Sequence, residues 1–152
     1  MQLLDIHIKA TVLVNGKVIG TSYLIYTLTE KPTRPQIHPT ASVHESAILG
    51  KDVVIGPNSI IGEHVSIGDR TILEANTLVE KWTTIGEDCH VHYGSSIGAP
   101  PQDISYKQEK SWVVIGDRNV IREYVTINRA SGKNCVTQIG SDNLLLTNVH
   151  IA

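Results

Sequence analysis

IHPTASVHESAILGKDVVIGPNSIIGEHVSIGDRTILEANTLVEKWTTIGEDCHVHYGSSIG, residues 37–98, decides the fold. An aliphatic residue returns at every sixth position without a miss: Ile37, Val43, Leu49, Ile55, Ile61, Ile67, Leu73, Val79, Ile85, Val91 and Ile97. Four residues after each of the first ten comes a small or β-branched one: Ala41, Ala47, Val53, Ser59, Val65, Thr71, Thr77, Thr83, Cys89 and Ser95. A helix would need apolar residues at spacings of three and four, and a straight strand would need them at every second position. A period of six fits neither. It predicts very short strands turned at regular corners, with Gly50, Gly56, Gly62, Gly68, Gly86 and Gly98 beside their aliphatic residues. That pattern suits a parallel β-helix of hexapeptides.

One hexad cannot bury its own aliphatic residue, whereas stacked coils bury a continuous column of them. With three faces per coil, residues eighteen apart stack, so Ile37, Ile55, Leu73 and Val91 form one predicted ladder and Val43, Ile61, Val79 and Ile97 a second. Full burial of each such side chain is worth roughly 1.5–3 kcal/mol. A charge at Ile61 or Ile67 is expected to break a coil.

Working outward, residues 1–36 do not obey the hexad. Loosely alternating apolar runs flank Asn15-Gly16, a dipeptide that accepts the positive φ of a tight turn, and predict a β-hairpin. Pro32 to Pro35 then link it to the prism, with the hairpin expected to cap the first coil. On the other side, hexads stop at Gly98, resume at Ile115, Ile121 and Ile127, break again and return at Ile139, Leu145 and Ile151. Two inserted loops are expected, near residues 99–113 and 129–137. Loops leaving a rigid repeat are where function tends to sit.

The 152 residues suffice for one core, and a net charge of -2 with no Lys/Arg cluster argues against a nucleic-acid partner. No segment has the apolar length of a membrane span, and charges interrupt every apolar run before Pro32, unlike a secretory leader. Cys89 falls on a small inward position and reads as a buried thiol, while Cys135 lies in a polar loop. A reduced, cytoplasmic setting follows.

Four motifs in order, IHPTASVHESAILG (37–50), GAPPQDISYK (98–107), IGDRNVIREYVTINR (115–129) and IGSDNLLLTNVHIA (139–152), closely resemble the UDP-N-acetylglucosamine acyltransferase family, which begins lipid A synthesis in Gram-negative bacteria. The resemblance implies a left-handed parallel β-helix, an exception to right-handed crossovers, and a homotrimer with active sites between subunits. It implies transfer of a 3-hydroxyacyl group from acyl carrier protein to the 3-hydroxyl of UDP-N-acetylglucosamine, without metal or other cofactor. A sugar hydroxyl is a weak nucleophile, so a general base must take its proton. The family's base is the second histidine of N-A-H-I-A-H. Here the run is Asn148-Val149-His150-Ile151-Ala152, so the base is expected to follow Ala152 and the chain is expected to be inactive alone, with a tendency to associate end to end.

By the same resemblance His150 contacts substrate, and Gln102 and Asp103 lie against the glucosamine, Asp103 accepting hydrogen bonds from sugar hydroxyls. Ser105 stands where the family often has a basic residue, with Lys107 two positions on. Arg122, Glu123 and Arg129 are assigned to coil support or subunit contacts, and Trp82 and Trp112 fit packing or a partner equally. Hexapeptide prisms also hold zinc through histidines between subunits, but the spacings of His38, His44, His90 and His92 do not match that pattern, and no metal is expected. The alternatives are a non-catalytic trimeric scaffold and a hexapeptide acyltransferase using coenzyme A; GAPPQDISYK favours the carrier-protein enzyme over the latter.

Overall fold

The computed structural model describes residues 4–14, 17–28 and 33–152, with side chains described from residue 33 onward. It comprises two compact units, residues 1–33 and 34–152. In the first, strands β1 (Leu4–Val14) and β2 (Lys17–Leu28) pair antiparallel from Leu4 opposite Leu28 to Val14 opposite Lys17, with an irregularity between Val12 and Leu13. The turn expected at Asn15-Gly16 lies outside the described residues.

In the second unit, strands of two to four residues stack into three parallel sheets, and no described residue is helical. The first sheet runs Gln36–Ile37, Val54–Ile55, Ile72–Leu73, His90–Val91, Val120–Ile121, Leu144–Leu145. The second runs Ser42–Val43, Ile60–Ile61, Leu78–Val79, Ser96–Ala99, Thr126–Asn128, His150–Ile151. The third holds Ile48–Leu49, Ser66–Ile67, Thr83–Ile85, Trp112–Ile115 and Val136–Ile139. This is a left-handed parallel β-helix of about six coils. Both expected ladders are present: Ile37, Ile55, Leu73 and Val91 pair in register, as do Val43, Ile61, Val79 and Ile97.

The column they form is dry from Ile55 through Ile127, each hexad aliphatic being at most 1 % exposed. Ile37 departs from the expectation, at 46 % exposed, and Val43 and Leu49 are only half-buried. A first coil has a neighbouring coil on one side only. Several inward polar residues find partners along the axis, though the buried hydroxyls of Thr83 and Ser111 have none. Asn119 donates to the carbonyls of Gly116 and Gly140, both at 2.8 Å, while its Oδ1 accepts from the Asn143 backbone N–H at 2.8 Å. Cys89 is buried and Cys135 exposed, both as free thiols.

The corners are the feature that permits the stacking. Asp52, Asn58, His64, Arg70, Asn76, Trp82 and Asp88 all have φ between 54° and 61°. Left-handed backbone is costly for bulky residues, and it is held here by hydrogen bonds to the preceding coil, such as Arg70 N–H to Lys51 O at 2.8 Å and Asp88 N–H to Asp69 O at 2.9 Å. One corner also carries charges of alternating sign, with Arg70 on Asp88 and Arg118 on Asp142, each at 2.7 Å.

Candidate active site

The chain leaves the second sheet after Ala99 and rejoins the third at Trp112. Pro100 and Pro101 lack the donors that a central strand needs, and the loop is pinned at its root instead. Arg129 N–H donates to Ala99 O at 2.9 Å, the Asn128 amide donates to Pro100 O at 2.6 Å, and Asn134 N–H donates to Lys110 O at 2.9 Å. These partners belong to the next coil and to the second loop, between Asn128 and Val136, so each loop braces the other.

Asp103 ties the two loops together. Its Oδ1 accepts from the Ser105 backbone N–H at 2.8 Å and the Ser105 hydroxyl at 2.7 Å, and its Oδ2 accepts from the Ser131 hydroxyl at 2.9 Å. The Ser105 N–H, then the two hydroxyls, hold this carboxyl below the usual carboxylate range. A carboxylate offers about four acceptor directions; three are filled, leaving one on Oδ2 for a hydroxyl arriving from solvent. Gln102 and Asp103 are both exposed.

Beside this loop lies a cavity of about 420 Å³ lined by Lys81, Trp82, Pro100, Tyr106, Gln108 and Arg129. Trp82 is its centre, with Lys81 Nζ 4.6 Å, Lys110 Nζ 5.4 Å and the Arg129 guanidinium carbon 5.0 Å from the ring centroid. Arg129 is 2 % exposed; its Nη1 reaches Lys81 O at 3.4 Å and its Nε has no partner. Among the described residues, the carboxylate that approaches these three cations is Glu63, 3.7 Å from Lys81 Nζ. Three cations against one indole, one of them buried with an unused donor, suit an anionic oxygen. Sequence reasoning left Trp82 undecided and gave Arg129 a supporting role. The lining residues come from three separate stretches, so no local spacing could signal them.

His150 lies on the second sheet, whose outward row runs Ser96, Thr126, His150. It is exposed, and its Nδ1 is 2.7 Å from the Thr126 hydroxyl. The same sheet thus carries His150 and gives rise to the loop bearing Gln102 and Asp103, but within the chain no hydrogen bond joins them.

Comparison with known proteins finds the family model described as GMPPB C-terminal domain matching residues 33–131. The acyl-(acyl-carrier-protein):UDP-N-acetylglucosamine O-acyltransferase of Synechocystis sp. is 62 % identical over 125 residues, 82 % of this chain and 45 % of its own length. Among solved structures, the UDP-N-acetylglucosamine acyltransferase of Francisella novicida superposes with a TM-score of 0.75 at 39 % identity, over 77 % of this chain and 43 % of that one. LpxA of Acinetobacter baumannii gives 0.74 at 43 % identity, over 76 % and 45 %. The chain spans about half the length of these relatives.

Proposed function

Since the chain belongs to the family of the GMPPB C-terminal domain and is homologous to UDP-N-acetylglucosamine acyltransferases, we propose that it serves acyl transfer from acyl carrier protein to the 3-hydroxyl of UDP-N-acetylglucosamine. The observation that carries this reading is the braced loop, which presents Gln102 and Asp103 to solvent beside a cationic cavity. Asp103, held ionised, accepts a sugar hydroxyl at its remaining Oδ2 position, and Gln102 offers both a donor and an acceptor to the same ring. The Arg129 guanidinium, which lines the cavity, suits a phosphate oxygen of the nucleotide. His150 contacts substrate from the second sheet and is not the base. The acting unit is a homotrimer with sites between subunits, working in the cytoplasm on a 3-hydroxyacyl donor as the first step of lipid A synthesis. Among the described residues no helix is long and apolar enough to cross a membrane.

The test is saturation-transfer NMR of UDP-N-acetylglucosamine with the purified chain. Transfer to the N-acetylglucosamine protons is expected, reduced at least fivefold by Asp103→Ala with the fold intact by circular dichroism. Equal transfer in the variant, or none in either protein, overturns the assignment of the loop.

A further inference from the structure

A cluster that the loop site does not use sits on the outer side of the first sheet. Glu74 follows strand Ile72–Leu73, His90 and His92 flank the inward Val91 one coil later, and Glu123 follows Val120–Ile121 on the coil after that. Glu74 Oε1 lies 2.9 Å from His90 Nε2 and 3.3 Å from His92 Nδ1, and His92 Nδ1 lies 3.6 Å from Glu123 Oε1. The two imidazoles stack with centroids 4.2 Å apart and planes 14° from parallel. One ligand atom from each of Glu74, His90 and His92 falls within 4.8 Å of the others.

We propose that Glu74, His90 and His92 bind a divalent transition-metal ion, zinc by preference, with Glu123 beside the remaining coordination position. Metal–ligand bonds of about 2.0–2.1 Å in a tetrahedron set ligand atoms about 3.3–3.4 Å apart; Glu74 Oε1 stands 2.9 Å from His90 Nε2 and 3.3 Å from His92 Nδ1, close to that edge, and one imidazole turns out of the stack to aim its nitrogen at the ion. Two imidazoles with carboxylate favour zinc over magnesium or calcium, which take oxygen. The carboxylates are oriented from behind, as ligands of a built site are. Glu74 Oε2 accepts the Tyr93 backbone N–H at 3.2 Å, and Glu123 accepts from Arg122 at 3.0 Å and from the Thr147 hydroxyl at 2.9 Å. Side-chain exposures of 39 % for His90 and 33 % for Glu74 leave a path of entry, while His92 at 19 % and Glu123 at 14 % are more enclosed. An ion here ties two successive coils of one sheet, with Glu123 of the third beside it. The two histidines alone, at a spacing of two, carry no ligand signature, because the third ligand stands sixteen residues before His90.

The test is titration of the metal-stripped chain with Zn2+ in competition with a chromophoric chelator, together with the visible absorption of the Co2+ form. One ion per chain, tetrahedral Co2+ bands, and affinity falling at least tenfold in His92→Ala and in Glu74→Gln are expected, with Cys135→Ser unchanged. The Zn2+ form is also expected to melt several degrees higher than the stripped one. Binding that is unchanged in both variants, or only weak binding spread over the surface histidines, overturns the site and leaves these contacts as Glu–His hydrogen bonds. The loop reading is untouched by either result.

Discussion

Gly68→Ala probes the stacking directly. A Cβ added at Gly68 would lie 2.5 Å from the Gly86 carbonyl carbon, 2.6 Å from Glu87 N and 2.7 Å from Gly86 O, all backbone of the next coil. Reaching ordinary contact means opening the two coils by about 1 Å, which takes the Gly68 N–H to Ile85 O bond from 2.8 Å toward the limit of hydrogen bonding. Overpacking costs about 1–3 kcal/mol, and a weakened backbone bond adds up to about 1 kcal/mol. Replacing glycine in the unfolded chain returns about 0.4–1 kcal/mol. The net is a loss of about 2 kcal/mol, or roughly 4–8 °C in Tm for a chain of this size. Gly62→Ala is the comparison. Its Cβ would meet Lys81 N at 3.0 Å and Val79 O at 3.2 Å, so a shift of a few tenths of an ångström suffices and a loss below about 1 kcal/mol is expected. Urea unfolding followed by far-UV circular dichroism measures both. If Gly68→Ala proves as stable as Gly62→Ala, backbone contact between glycine corners does not limit the coil spacing.

Two further outcomes follow from polar groups. Thr83 is fully buried and its Oγ1 has no partner; Thr83→Val removes an unsatisfied hydroxyl and should stabilise by about 1 kcal/mol, and a destabilised variant in the same urea experiment contradicts this. Arg122, as hydrogen-bond donor, pulls the Glu123 carboxyl down to about 2, and Arg70 and Arg118 lower Asp88 and Asp142 in the same way. Folded values below the unfolded ones mean that their stabilisation is complete above about pH 5 and is lost as pH falls toward 2. Carboxyl titration by NMR should show Glu123 returning toward the ordinary range in Arg122→Ala, and an unmoved midpoint refutes the cause.

The inward half of the fold was legible because burial acts on the sequence at a fixed period. Ile55, Ile61 and Ile67 each fill the axis, and a polar residue there has no compensation. The corners were not legible. His64, Arg70 and Trp82 take left-handed backbone, which no propensity suggests for them, because bonds to the preceding coil hold them there. Ile37 shows a limit of periodicity, which marks direction but not how many neighbours cover a coil. The loop carrying Gln102 and Asp103 stood out by breaking the phase, whereas the cavity around Trp82 and the Glu74–His90–His92 cluster unite residues that meet only through the eighteen-residue and longer returns of the helix.

The claim that matters most is the activity, and the most direct measurement joins residues 34–152 to the remaining length of the Synechocystis relative and assays acyl transfer from 3-hydroxyacyl carrier protein to UDP-N-acetylglucosamine. Turnover is expected, with Asp103→Ala and Arg129→Gln each raising KM for the nucleotide sugar at least tenfold. A folded, trimeric hybrid that transfers nothing, or whose KM ignores both substitutions, contradicts the account.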